Sequence, residues 1–309
     1  MLIRAHNYLL ILSLFAFSCS LKAVVIDKAQ LRTECDNYPR HCLNQVAELL
    51  PTVAVDSLQF YELKLLEFES LFALTEAEQL FAQTSQYILK DELPEYFKIK
   101  LYIYHAKSLK NLNRSEESIR FRSQAEQLLN QVNKNFANPE LLVELLNLQL
   151  YSDFDPALGL RMLQQLDKKF LRRDAPRFKF ELYTNLGHFA DRCNETQKSV
   201  IYREQALRFA YALKSDYKIG EALFNLGSSL QKSGDLSDAR QRYMASIEFA
   251  ERAHDDVGVN LAHLYLANVA LQQGQVEEAK TWLSRLSIEN LPQPRHQLFV
   301  ELQTKLSIL

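Results

Sequence analysis

Asn185-Leu186-Gly187 and Asn225-Leu226-Gly227 are one tripeptide repeated at an interval of forty residues. The interval recurs between Phe209-Ala210 and Phe249-Ala250, between Gly234 and Gly274, and between Ala239 and Ala279. A fixed period of this size marks a supersecondary unit stacked on copies of itself, because so small a unit cannot bury its apolar face alone. One small or close-packing position per unit carries the period back along the chain. It runs Ala267, Gly227, Gly187, Leu146, Ala106 and Leu66, with gaps of 40, 40, 41, 40 and 40. Leu146 and Leu66 are not small, so their units are the degenerate ones.

The units read as helical hairpins. Glycine numbers only 7 and proline 8 in 309 residues, so few positions demand special backbone geometry. Good helix formers dominate the rest. Leu58, Leu63, Leu65, Leu66 and Leu71 mark one helix, and Ala77, Leu80, Phe81 and Ile88 mark its partner. Asn138-Pro139, Asp155-Pro156 and Asp174-Ala175-Pro176 open helices with a capping residue or a proline just inside. Ser233-Gly234-Asp235 and Gln273-Gly274-Gln275 are interhelical turns. Gly or Ala on each first helix lets the second approach, with Ala239 and Ala279 facing it. Tyr243, Leu226, Leu266 and Leu283 fill the space around the contact. The organisation expected is a leader at 1–23, then an N-terminal segment at 24–55 with a short helix near His41–Leu50. Six hairpins follow at 56–289, and a capping helix at 290–309. A globular helical bundle is the alternative, and it does not require a constant period.

The chain opens as a secretory leader. Arg4 precedes the uncharged run Tyr8–Phe17, and Leu21-Lys22-Ala23 is an acceptable cleavage site. That run is too short to span a bilayer. Cys19 sits where a lipoprotein carries its acylated cysteine, although Ala16 and Phe17 depart from that pattern. Membrane attachment is expected only if Cys19 is acylated. Localisation is expected in a periplasm or outside the cell. In an oxidising compartment Cys35 and Cys42 are candidates for a disulfide across the loop containing Pro39, the alternative being two free thiols. Without Arg4 and Lys22, 34 basic residues stand against 38 acidic ones, a net charge of −4. Such a balance argues against nucleic acid as the main partner.

Leu223, Leu226, Gly227, Leu230, Gly234, Ala239, Tyr243 and Ser246 resemble a tetratricopeptide repeat. The next unit, with Leu266, Ala267, Ala270, Gly274, Ala279, Leu283 and Leu286, fits with leucine for the aromatic residue. The resemblance is good over Lys218–Leu286. It is weaker over Phe180–Leu213, where Asn194 replaces the turn glycine and Ser199 the alanine, and over Leu101–Leu128. A period of forty resembles the longer-helix variety of this repeat. The resemblance implies an all-α, right-handed superhelical solenoid whose first helices line a concave groove. It also implies that a protein or peptide is bound there, without catalysis. Fold alone does not fix function.

On the inferred groove face stand Lys100, Lys107 and Lys110, then Asn147, Tyr151, His188, Arg192, Phe224, Ser228, Lys232, Leu264 and Asn268. The three lysines fall at helical spacing and give a basic face suited to an acidic segment or a terminal carboxylate, unless they are an ordinary solvated surface. The paired Asn and Lys/Arg clamp of carboxylate-binding relatives is not complete, because Asn147 and Asn268 lie several units apart. Seven histidines are scattered without ligand spacing, so no metal and no cofactor is expected. No nucleophile–base motif or phosphate-binding glycine loop occurs, so no enzyme is expected. The expected role is an exported scaffold for a protein or peptide. The alternatives are a sensor acting with a separate membrane partner and a lipid-anchored envelope assembly factor.

Overall fold

The computed structural model describes residues 27–135, 138–150 and 154–308. Helix α1 (Lys28–Asn37) and helix α2 (Pro39–Leu49) come first, where the sequence suggested one helix. Asp27 caps α1 by accepting from the backbone N–H groups of Ala29 and Gln30, and Pro39 sits at the first position of α2. Helix α1 escaped notice because it buries only Leu31 and Cys35 and carries no apolar stripe. Cys35 and Cys42 are joined by a disulfide across the single-residue turn at Tyr38.

Six hairpins follow. They pair α3 (Leu58–Ala73) with α4 (Ala77–Ser85), α5 (Glu95–Asn111) with α6 (Ser115–Asn135), and α7 (Pro139–Gln149) with α8 (Pro156–Lys169). Then α9 (Pro176–Arg192) pairs with α10 (Thr196–Leu213), α11 (Asp216–Ser233) with α12 (Leu236–Arg252), and α13 (Asp256–Gln272) with α14 (Val276–Ser284). Helix α15 (His296–Ile308) closes the C-terminal end, packing its Leu302 with Leu264 and Leu291. The protein is an all-α, right-handed superhelical solenoid of antiparallel helix hairpins.

The turns explain themselves locally. Gly234 ends α11 at φ +87°, and Gly274 takes φ +75° in the next unit. At the corresponding turns of α5 and α9, Asn113 and Asn194 adopt φ 60° and 58°. Asparagine tolerates this left-handed region better than other residues with a side chain.

Close approach between paired helices rests on the repeated glycines. A Cβ at Gly227 would stand 2.9 Å from the ring of Tyr243 and 3.2 Å from the Ala239 carbonyl oxygen. At Gly187 it would stand 2.6 Å from Nε of Arg203, the residue forty before Tyr243. One notch thus takes a phenol ring in one unit and a guanidinium in another. Arg203 is buried there, donating to the Thr184 carbonyl at 3.1 Å and hydrogen-bonded to His188 at 2.8 Å.

The apolar core is a succession of clusters, each shared by neighbouring hairpins. Phe68, Leu80 and Phe97 form one, Ile103, Leu129 and Leu145 the next, and Leu146, Leu163 and Leu186 another. Phe180, Ala210 and Leu223 continue the series, followed by Tyr243, Leu266 and Val269. As the hairpins rotate about the superhelix axis, the chain returns onto itself. Arg177, at the start of α9, donates to the Asp36 carboxylate at the end of α1. The Ser215 hydroxyl donates to the Asp36 carbonyl at 2.9 Å, and the Tyr217 hydroxyl donates to the Ala73 carbonyl at 3.2 Å. Asn113 donates to Gln293 at 3.0 Å. The end of one first helix therefore meets the start of a first helix four or five hairpins later.

Candidate functional site: a ring of alternating charge inside the superhelix

Helices α3, α5, α7, α9 and α11 line the inner face, α1 lies against α3 and the starts of α9 and α11, and each contributes a charged side chain. Arg32 of α1 lies 2.5 Å from Glu69 of α3. Glu69 lies 3.3 Å from Lys100 of α5, and Lys100 donates to Glu144 of α7 at 2.6 Å. Glu144 also faces Lys107 at 3.6 Å, and Lys107 in turn feels Glu181 of α9. Glu181 pairs with Lys218 of α11 at 3.2 Å, and Lys218 acts on Asp36, which returns to α1 beside Arg32. The sign alternates at every step, and the loop closes on the helix where it began.

Burial makes the arrangement strong. Lys100 and Lys107 are 6% and 8% exposed, so neither is a solvated surface lysine. Burial works against the Glu144 carboxylate, but Lys100 and Lys107 outweigh it and hold the group down at about 2. Burial likewise opposes ionisation of Glu69, and Arg32 and Lys100 overcome it, leaving its pKa below the usual range. Lys107 is only partly compensated. Burial lowers its pKa, Glu144 opposes the fall, and Lys100 adds to it. Its ammonium rests 4.4 Å from the Phe72 ring centroid and 4.8 Å from that of Tyr104. Burial pushes the Asp36 carboxyl up to about 6 against the pull of Arg32 and Lys218, with Glu69 and Glu181 adding to the rise.

These contacts correct the expected basic face. Lys100 and Lys107 are neutralised by acids on the neighbouring first helices, because the superhelix is tight enough to bring those acids within reach. Lys110 is half-buried, and its lowered pKa follows from burial, with Arg122 and Arg192 adding to it. Asn147 spans to the next hairpin, donating to Asn185 at 2.8 Å, and Arg192 donates to the Leu150 carbonyl. His188 is held by Arg203; burial drives its pKa well below the usual value, with Arg203 and Lys232 adding to the fall. Lys232 is exposed and pairs with Asp191 at 3.0 Å.

Two expected groove contacts are packing residues instead. Leu264 is fully buried beneath the C-terminal helix, and Phe224 lies against the rings of Tyr243 and Tyr265 at 5.4 and 5.1 Å. Ser228 hydrogen-bonds Tyr243, and Asn268 accepts from Gln272 at 3.4 Å. Tyr151 and Cys19 lie outside the described residues. Arg32, Asp36, Glu69, Glu144, Glu181 and Lys218 are the ring members that sequence reasoning missed, as it missed Arg177, which lies outside the ring against Asp36. A signal existed for some of them: Glu181 and Glu221 stand forty apart, in register with Lys100.

Two cavities open elsewhere. One of about 410 Å³ lies along α6 at Ser123, Glu126, Gln127, Asn130 and Gln131. The other, of about 360 Å³, lies between α8 and the α9–α10 turn at Leu160, Gln164, Cys193 and Lys198. Neither touches the charged ring. Among the described residues no group of three or more His, Cys, Asp and Glu is placed to hold a metal ion. No helix among them is long and apolar enough to cross a membrane.

Hairpins stacked with first helices inward and second helices outward define a tetratricopeptide-like helical-repeat protein. No protein-family model and no curated protein matches the chain. Solved structures do. A Rap protein complexed with competence and sporulation factor is similar at a TM-score of 0.63 and 14% identity, covering 90% of this chain and 78% of that one. A signal-transduction ATPase with a tetratricopeptide repeat sensor from Pyrococcus horikoshii gives 0.49 at 13% identity, covering 80% of this chain and 40% of that one. The apo form of RapI gives 0.46 at 12% identity, covering 83% and 73%. At these identities the likeness is one of fold.

Proposed function

We propose that the protein is an exported, non-enzymatic scaffold that holds a protein or peptide partner on its row of first helices. The observation that carries this reading is that the row already holds one helical segment, its own α1. It does so with side chains that the packing within hairpins does not use: Glu69 for Arg32, and Arg177 and Ser215 for Asp36. The Rap protein of similar fold, solved in complex with a factor, supports the same reading. Export rests on the leader at 1–23. No reaction is assigned, since the ring spends each of its charges on a neighbour of opposite sign.

Photocrosslinking in cells tests the scaffold. A benzophenone side chain at Lys232 or Asn268, on first helices, is expected to capture one defined protein. The same group at Gln241 or Met244, exposed on the outer helix α12, is expected to capture none. Capture from the outer positions alone removes the first-helix row from the function. A regulatory sensor acting with a separate membrane partner is the second reading. It is favoured by the way α1 joins two superhelical turns, because a ligand that parts them would have two arrangements to choose between.

A further inference from the structure

The contacts between the two superhelical turns differ in kind from all others in the molecule. Among the described residues, every buried apolar cluster joins hairpins adjacent in the chain. None spans from α1 and α3 to the starts of α9 and α11. That seam is mostly polar: the Asp36–Arg177 pair, the hydroxyl bonds of Ser215 and Tyr217, and the outer reach of Arg177 to Glu69 at 3.4 Å, with one ring contact, Tyr38 beside His254 at 6.4 Å. Polar contacts exchange with water at little net cost, whereas apolar contacts do not. The seam is therefore the place where the closed solenoid opens while its hairpins stay folded.

The carboxylate at the centre of the seam has unusual company. Asp36 is flanked by Arg32 from its own helix, by Arg177 at the start of α9, and by Lys218 in the first turn of α11. Glu69 and Glu181 also face it. Arg177 contacts both carboxylate oxygens through one nitrogen. Such an arrangement is a carboxylate-binding site filled from within the chain.

We infer that Asp36 is a latch. It closes the seam by occupying a site that takes an acidic side chain or terminal carboxylate of the partner when the turns separate. This inference rests on the scaffold reading and names the partner's chemistry: an acidic segment, its carboxylate engaged by Arg177 and Lys218 and a backbone carbonyl by Ser215. The acidic partner expected from Lys107 and Lys110 is thereby reassigned to a different pair of helices. The disulfide ties α1 to α2, which packs on α3, so opening moves these helices as one body away from α9 and α11.

Hydrogen exchange on the full chain tests the latch. Asp36→Arg and Arg177→Asp, each alone, are expected to raise exchange in α1 and in the first turns of α9 and α11, leaving α12 unchanged. The double variant, with the charges swapped, is expected to restore protection, which separates a lost latch from a misfolded chain. Unaltered exchange at α11 in both single variants overturns the latch, as does a double variant no better than the singles. The vacated site is tested with a synthetic hexapeptide of Asp and Glu and its Asn/Gln counterpart. The Asp36→Ala variant is expected to bind the acidic peptide at least about tenfold more tightly than the unaltered chain, because the site no longer waits on opening. Adding Arg177→Ala is expected to abolish the gain. Equal binding to both chains, or equal binding of both peptides, overturns the carboxylate site. Capture of a partner at Lys232 with no response to Asp36 would sink the latch and spare the scaffold.

Discussion

The packing within hairpins and the lining of the superhelix solve the same problem with opposite materials. Between α11 and α12 the missing side chain of Gly227 admits the ring of Tyr243, and shape complementarity holds the pair. Between α5 and α7 nothing is missing; Lys100 and Lys107 are long, and Glu144 meets them. The first kind of contact tolerates changes in pH and salt but not in volume. The second kind tolerates volume but not the loss of a charge.

Removing one charge from the ring is expected to have the largest effect. Glu144→Ala takes from buried Lys107 its ion-pair partner and leaves buried Lys100 with Glu69 alone, and should lower stability by about 3–5 kcal/mol in urea unfolding. A loss below about 1 kcal/mol would show that the ring is solvated, and the contrast would collapse. Acid comes next. The Glu144 and Glu69 pKa values lie below their unfolded values, so their contribution is present above about pH 4.5 and is lost on acidification, for Glu144 as pH falls through about 2. For Glu144 alone the full shift corresponds to about 3 kcal/mol. Asp36 has the reverse sign: its pKa is raised, so its contribution is present below pH 3.8 and is lost as pH rises through about 6. Stability measured against pH should therefore keep its acid limb in Asp36→Asn and lose much of it in Glu144→Gln. Identical profiles in the two variants would contradict the assignment.

Filling a notch should cost less. Gly227→Val drives a methyl-bearing carbon into the buried Tyr243 ring and should cost about 1–3 kcal/mol, with no change in the pH profile. An altered acid limb in this variant would mean that the two kinds of contact are coupled. The smallest effect is expected from Lys232→Ala. It breaks an exposed pair with Asp191 and should change thermal stability by less than about 1 kcal/mol, an amount that disappears in high salt.

Much of the fold was legible because the repeat records local events. Gly187, Gly227, Gly234 and Gly274 each mark a contact or turn completed within one hairpin. The ring was not legible because most of its members are far apart in sequence: 31 residues separate Glu69 from Lys100, 44 separate Lys100 from Glu144, and 182 separate Asp36 from Lys218. Reading Lys100, Lys107 and Lys110 as a basic face treated one helix by itself. Acids on the flanking first helices, Glu69 and Glu144, come into reach through the stacking of each hairpin on the next, which a pattern within one helix does not encode. The seam was further from view still. Asp36 and Arg177 are brought together by a whole superhelical turn, and α1 has almost no apolar periodicity to announce it.

The eight members of the ring, four cations and four anions in alternation, sum to zero. Opposed charges a few ångströms apart cancel within about a Debye length of the surface. The lining therefore projects little field into solution, and it does not draw a partner in from a distance as a one-signed groove does. Recognition at Asp36 would be an exchange of one carboxylate for another, with no net change in charge. The rate of encounter should then depend only weakly on ionic strength, and selectivity would reside in how long the partner stays.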